Sequence, residues 1–391
     1  MRAAVILSPT MIYLDHAATT PLRPEVLEAM LPYLQTEFGN ASSLYHLGRR
    51  ARKAVEDARE TVAEVVGARP AEIVFTSGGS ESDTTALLGV AAARRDRGRH
   101  ILTTPLEHHA VLHTAERLGR EGFEIQFLPI DGEGRVAPAA VAERLGDETV
   151  LVSVMHANNE IGVIQPIAAI AEQCRERGVP LHCDAVQTVG QLGVDVKDLG
   201  VAVLSASGHK FYGPKGVGFT YLRTGTRPWP LVLGGSQERN RRAGTENVAG
   251  IVGLATALRL QQEGLAEYQE HCRRLRDRLI AGLLALPGSR LNGPREERLP
   301  NNVNVSFERI SGESLLILLD GQDIAVSTGS ACSSGATDPS HVLLALGGER
   351  DLAFGSLRLT VGRDNTPAQI DEVLDAVASG VERLRALAPS S

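Results

Sequence analysis

Short apolar runs alternate along the chain with segments of helical spacing, and this alternation predicts most of the architecture. Strand-like runs are Glu72–Phe75, His100–Thr103, Phe123–Leu128, Val150–Val154, Pro180–Cys183, Val201–Leu204 and Val217–Leu222. Each is short, rich in β-branched or aromatic residues, and bounded by glycine, proline or polar residues. Between them the period changes. Ala51, Ala54, Val55, Ala58, Val62, Val65 and Val66 keep helical spacing, and helices are also expected near Glu25–Leu34, from Ser82 to about Arg94, and over His108–Gly119, Ala137–Leu145 and Ile167–Arg177. Strands separated by helices predict a largely parallel sheet covered on both faces, with any ligand held beyond the carboxyl ends of the strands.

After about Gly250 the character changes. Ile251–Leu286 reads as long helical sequence closed by Pro287-Gly288. Strands at Asn302–Phe307, Ile324–Val326 and Ser356–Thr360 surround one helix, Glu313–Leu319. A last helix opens with Thr366 as N-cap, Pro367 at N1 and Gln369 at N3, and carries the stripe Ile370, Val373, Leu374, Val377, Val381 and Leu384. The expected organisation is a large α/β domain over 12–255 and a smaller α+β domain over 256–391. The opening residues of the first are expected to pack with the second.

Composition narrows the function. A net charge of −7 argues against nucleic acid as a direct partner, because phosphate binding requires a basic face. No apolar run approaches the roughly 20 residues of a membrane span, and the apolar stretch before Ser8-Pro9 is too short for a signal-peptide core. A cytoplasmic protein is expected. Its four cysteines, Cys174, Cys183, Cys272 and Cys332, form no CxxC pair, so neither a disulfide framework nor a metal site is expected from them. Cys174 and Cys183 fall within regular elements and read as structural thiols.

Cys332 is different. It lies in Ser327–Ser340, mostly serine, glycine and alanine, a composition that cannot bury a core and that presents a thiol for reaction. Lys210 also stands apart. It follows the run Val201–Leu204 within Ser205-Ala-Ser-Gly-His-Lys-Phe-Tyr-Gly-Pro214, where desolvation would favour the neutral, nucleophilic amine. An isolated lysine is ordinarily a solvated loop residue, so its companions decide. Thr76-Ser-Gly-Gly-Ser-Glu-Ser82 is a glycine-rich helix start suited to an anion, most simply a phosphate, although it matches neither GxxxxGK[ST] nor GxGxxG. Asp184 ends a buried-looking strand and needs a cationic partner. A phosphate cradle, a strand-end aspartate and a strand-end lysine together point to pyridoxal phosphate, whose aldehyde a lysine binds and whose ring nitrogen an aspartate keeps protonated. His108 opens a helix where it could stack on a ring and shuttle protons. His109 and His113 share a helix face but lack an acidic third ligand, so no metal is expected there. Arg358, within a strand, could form a bidentate pair with a substrate carboxylate; otherwise it faces solvent.

Taken in order, Gly39–Ser43, Thr76–Ser82, Glu107-His108, Asn158–Gly162, Asp184–Gln187, Ser207–Lys210, Arg242–Thr245 and Gly329–Cys332 resemble the cysteine desulfurases of the class V aminotransferase family over nearly the whole chain. The resemblance implies the fold-type I pyridoxal-phosphate architecture, with a mostly parallel sheet in the large domain. It implies that Lys210 holds the cofactor aldehyde and later moves the α-proton, that Asp184 holds the ring nitrogen, that Gln187 bonds the ring hydroxyl, and that His108 stacks on the ring. Gly79, Ser80, Ser207 and His209 would hold the phosphate, with Thr245 reaching that of a second subunit in a homodimer. Asn159 would serve cofactor and substrate, and Arg358 the substrate. Cys332 would take sulfur from L-cysteine as a persulfide, releasing alanine, with His108 the expected proton acceptor. The long loop resembles the branch that gives sulfur to iron–sulfur scaffold proteins or other sulfur acceptors. Gly79-Ser80 stands where Ala-Thr is usual, and His16 receives no role. A selenocysteine lyase or another lyase or aminotransferase of the same fold is the alternative enzyme; a non-catalytic subunit with this fold is disfavoured by the complete set of reactive residues.

Overall fold

The computed structural model describes residues 11–328 and 339–387. The strands among these residues, in chain order, are β1 (Ile12–Tyr13), β2 (Ile73–Thr76), β3 (His100–Thr103), β4 (Glu124–Phe127), β5 (Thr149–Ser153), β6 (Leu181–Asp184), β7 (Val203–Ser207), β8 (Gly218–Leu222), β9 (Ser289–Leu291), β10 (Asn302–Phe307), β11 (Ile324–Ala325) and β12 (Ser356–Thr360). A seven-stranded sheet has the order β2-β8-β7-β6-β5-β3-β4. Its strands run parallel except β8, which lies antiparallel to both β2 and β7. Most strands are buried throughout, as expected of a sheet covered on both faces; β4, at the edge, is partly exposed.

The apolar runs explain why the core forms where it does. Val152, Leu181, Cys183, Leu204 and Phe219 point to one face, against Val55, Val62, Leu254 and Leu258 of two long helices. Leu151 and Val203 belong to the opposite face, against Ala86, Leu87, Val111 and Leu118. A separate apolar cluster joins Leu275, Leu279 and Leu283 to Val303, Val305, Leu357, Leu359 and the expected stripe Ile370, Val373, Val377 and Val381. Here β10 pairs antiparallel with β12 and β9. Ile12 and Leu14 join this cluster rather than the large sheet, because β1 pairs with β11. The last helix, Pro367–Leu387, begins with a reciprocal cap: the Gln369 N–H donates to Thr366 Oγ1 at 3.3 Å, and Gln369 Oε1 accepts from the Thr366 N–H at 3.0 Å.

Three details differ from the sequence reading. The run after Val201 does not stop at Leu204; β7 continues to Ser207, because small buried residues pair with Thr220, Phe219 and Gly218 of β8. The long helical stretch is two helices, Val248–Glu263 and Leu265–Leu284, broken at Gly264. The first of these crosses position 255. Short helices at His341–Ala345 and Arg350–Phe354 were not anticipated. Among the described residues no helix is long and apolar enough to cross a membrane.

Candidate active site

The carboxyl ends of β6 and β7, the start of the helix Gly79–Ala93 and the segment after β1 surround a cavity of about 280 Å³. Its wall includes Gly79, Ser80, His108, Asn159, Asp184, Gln187, Ser207, His209, Lys210 and Arg358. Ten of the expected site residues thus converge on one space. Thr245 is exposed and not part of this wall. Cys332 lies outside the described residues.

Each side chain is held for a local reason. β7 ends at Ser207 and a single 3₁₀ turn, Gly208–Lys210, carries His209 and Lys210 over the strand ends. The turn is tight: a Cβ on Gly208 would come within 3.1 Å of the Pro214 carbonyl oxygen. Phe211 and Tyr212 are fully buried and anchor the turn in the core. Lys210 Nζ donates to the carbonyls of Ala17 and Ala18, the latter at 2.8 Å. Gln187 Nε2 also donates to the Ala17 carbonyl, at 3.1 Å. Two short loops therefore bring Lys210 and Gln187 to one backbone oxygen.

The glycine-rich start of the helix Gly79–Ala93 supplies another wall. Gly78 has φ +147°, a conformation that L side chains rarely adopt, and a Cβ on Gly79 would sit 2.7 Å from Val186 Cγ2. First-turn N–H groups have no carbonyl one turn back to bond, so this end of the helix suits an anion. His209 Nδ1 lies 3.1 Å from Thr19 Oγ1, and burial lowers its imidazole to about 4.

Asp184 is buried at the end of β6, with Oδ1 accepting from the Val186 N–H at 2.9 Å. Burial, aided by the Asp83 carboxyl, raises it to about 7. His108 caps its own helix, its Nδ1 accepting from the Ala110 N–H at 3.1 Å. Burial, together with Lys210 and neighbouring histidines, lowers His108 to about 4. The ring is neutral, and the cap places its proton on Nε2.

Arg358 faces inward, not to solvent, and is 3% exposed. Its Nη2 donates to Asp15 Oδ1 at 2.8 Å and its Nη1 to the Asn159 carbonyl at 3.2 Å, while Nε has no partner among the described residues. Asn159 is thus tied to Arg358 through its backbone. His16 is buried edge-on against Tyr13, and burial lowers its imidazole to about 4.

Sequence reading missed four contributors. Asp15, Ala17 and Ala18 act on the site through long-range contacts that no local pattern signals. Asp83 stands one residue beyond the glycine-rich motif; a carboxylate early in a helix that continues as Ala86-Leu-Leu-Gly-Val-Ala-Ala-Ala93 was the available clue.

A strand-end lysine and aspartate, a glycine-rich helix start and a mostly parallel α/β sheet define a class of enzyme built to hold a phosphorylated cofactor over one lysine. The aminotransferase class-V family model matches residues 12–373, and the chain belongs to that family. A cysteine desulfurase IscS of Methanosarcina thermophila is 51% identical over 378 residues, covering 97% of this chain and 94% of the relative. Among solved structures, a NifS-like protein superposes with a TM-score of 0.90 at 39% identity, covering 95% of this chain and all of that one. A structure described as SspA in complex with cysteine gives 0.79 at 34% identity, covering 90% of this chain and 98% of that one.

Proposed function

We propose that this chain is a pyridoxal-phosphate-dependent cysteine desulfurase. The observation that carries the reading is the convergence of Lys210, Asp184, His108 and the Gly79 helix start on one cavity. The cavity residues fit that cofactor. A buried carboxyl such as Asp184, raised to about 7, ionises readily only against a cation, and a protonated ring nitrogen is one. Gly79 lets the helix start pack directly against Val186, two residues after Asp184, where a Cβ would collide at 2.7 Å, and so keeps its N–H groups beside the ring site.

Lys210 would bond the cofactor aldehyde, Asp184 the ring nitrogen and Gln187 the ring hydroxyl, with His108 against the ring face. Gly79, Ser80, Ser207 and His209 would receive the phosphate. Thr245, exposed on its own subunit, would reach the phosphate of a second copy in a homodimer. When bound, the cofactor supplies an electron sink for charge at the substrate α- and β-carbons. Asn159 and Arg358 orient the substrate carboxylate. Lys210 moves the α-proton. Cys332 attacks the substrate sulfur as a thiolate: one S–S bond forms, the C–S bond breaks, and L-cysteine becomes L-alanine while Cys332 becomes a persulfide. A free thiol of pKa about 8.5 is only a few per cent ionised at pH 7, so its proton needs an acceptor. His108 can serve once its Nδ1 releases the Ala110 N–H, since Nε2 already carries the ring proton.

The persulfide would pass to an iron–sulfur scaffold or another sulfur acceptor in the cytoplasm. The division into 12–255 and 256–391 is proposed on the separate apolar clusters of the large sheet and of β10 with the last helix, the helix Val248–Glu263 spanning the boundary and packing through Leu254 and Leu258 on the large sheet. The test is a purified protein loaded with pyridoxal phosphate. A visible absorption band, altered by L-cysteine, with alanine and sulfide formed equally in the presence of a thiol reductant, is the expected result. Absence of the band in wild type, or no alanine from cysteine, overturns the reading. A much faster reaction with selenocysteine would replace it with the lyase.

A further inference from the structure

Asp184 does not stand alone on the cavity floor. Asp83, on the helix Gly79–Ala93, lines the same cavity and is 1% exposed. Its Oδ1 has no hydrogen-bond partner among the described residues, although His182 Nε2 lies 3.5 Å away. His182 is fixed between two hydroxyls, with Nδ1 2.8 Å from Ser153 Oγ and Nε2 3.0 Å from Ser205 Oγ. It lies two residues before Asp184 on β6, so both side chains project from one face of the strand.

The surroundings offer little positive charge. Glu107 is fully buried nearby, its Oε1 accepting from Thr104 and the Met155 N–H. His108 and His182 are both held neutral by burial. Lys210 and Arg358 are the cations on this wall: Lys210 donates to the Ala17 and Ala18 carbonyls, and Arg358 is paired with Asp15 and the Asn159 carbonyl. No lysine or arginine forms a salt bridge with Asp83 or Asp184 among the described residues. Two carboxylates in one water-poor space cannot both ionise freely; they titrate as a pair.

We propose that Asp83 and Asp184 form one coupled carboxyl pair, in which Asp83 is a positioning residue that sets how readily Asp184 ionises and so how tightly the site grips a cationic ring nitrogen. This rests on the pyridoxal-phosphate reading of the cavity. Near neutrality the two carboxyls hold about one proton between them. Removing the Asp83 charge leaves Asp184 ionised to lower pH. One unit below a midpoint near 7, Asp184 is ionised to about a tenth; lowering the midpoint by one unit raises that to about a half, roughly a fivefold gain.

The experiment compares wild type with Asp83→Asn and Asp83→Ser as full chains, stripped of cofactor and titrated with pyridoxal phosphate at pH 6 and pH 8. Binding is read by equilibrium dialysis and by the visible band. The cofactor's own ionisation is common to all three proteins and cancels in the ratios. The expected result is a crossing: the variants bind about fivefold tighter than wild type at pH 6 and no tighter at pH 8. Parallel pH dependences, or equal weakening at both pH values, overturn the pair and reduce Asp83 to a packing role. A wild type that binds no pyridoxal phosphate at either pH removes the underlying reading, and the pair with it.

Discussion

Replacing Arg358 with lysine isolates one part of the proposed mechanism, the grip on the substrate carboxylate. The guanidinium has five N–H donors in a rigid fork. Nη2 is engaged by Asp15 and Nη1 by the Asn159 carbonyl, leaving Nε and further donors for an incoming carboxylate. Lysine keeps the charge but offers a point ammonium, which cannot satisfy Asp15 and form a bidentate pair with a ligand together. Hydrogen bonds to charged groups contribute about 1.5–3 kcal/mol each, so losing the bidentate arrangement costs about 3 kcal/mol. Steady-state alanine formation should therefore show kcat/KM for L-cysteine lowered roughly 10²-fold in Arg358→Lys, mainly through KM. The visible cofactor band and cofactor affinity should stay as in wild type, since the lysine and aspartate at the ring are untouched. An unchanged KM, or loss of the cofactor band, would refute the assignment of Arg358 to the substrate.

Cys332→Ser should retain the cofactor band and its response to L-cysteine but lose alanine and sulfide formation by several orders of magnitude; full activity in that variant would place the nucleophile elsewhere. Gly362→Ala should lower stability by about 1–3 kcal/mol in thermal melts, because a Cβ there would meet the buried His16 ring at 2.2 Å; an unchanged melting temperature would show that the ring can shift freely. Apo-protein stability should peak at mildly acidic pH. Asp83, Asp184 and Glu160 are raised to about 7, so their contribution is present below the ordinary carboxylate pKa and is lost as pH rises towards 7. His16, His156 and His182 are lowered to about 4, so their contribution is present above the ordinary histidine pKa and is lost as pH falls from about 6.5 to 4. Melts of the cofactor-free protein from pH 4 to 9 check this, and a maximum at pH 8 or above would contradict it.

Much of the large sheet was legible because its strands are continuous apolar runs, such as Val150-Leu-Val-Ser-Val154, set between helices of clear period. The helix start at Gly79 and the lysine at 210 were legible because glycine and small residues mark places where backbone must come close. The direction of β8 was less evident. The connection from Ser207 to Gly218 contains no α-helix, only the single 3₁₀ turn Gly208–Lys210, which was the available sign that the chain turns back rather than crossing over. The contacts of Asp15, Ala17 and Ala18 could not be read from local pattern, since they depend on pairing between residues hundreds of positions apart. Asp83 was passed over because carboxylates in the early turns of a helix are usually solvated, and only tertiary packing reveals one that is not.

The short segment after β1 has a consequence for the order in which this protein becomes competent during synthesis. The carbonyls that receive Lys210 come from Ala17 and Ala18, in a segment tied on one side to the lysine turn through Thr20 and His209 and on the other to residues made much later. Ile12 and Tyr13 pair with residues 324 and 325, the Ala17 N–H donates to Thr360 Oγ1 at 2.9 Å, and Asp15 bridges to Arg358. Once residue 222 has left the ribosome, β8 can complete the wall that carries Gly79, Asp184 and Lys210. The remaining anchors of the Ala17 segment and the carboxylate grip wait for residues 324–360. A nascent chain therefore builds its cofactor wall well before it can act on a substrate, and its earliest residues close the site only when some of its last have been made.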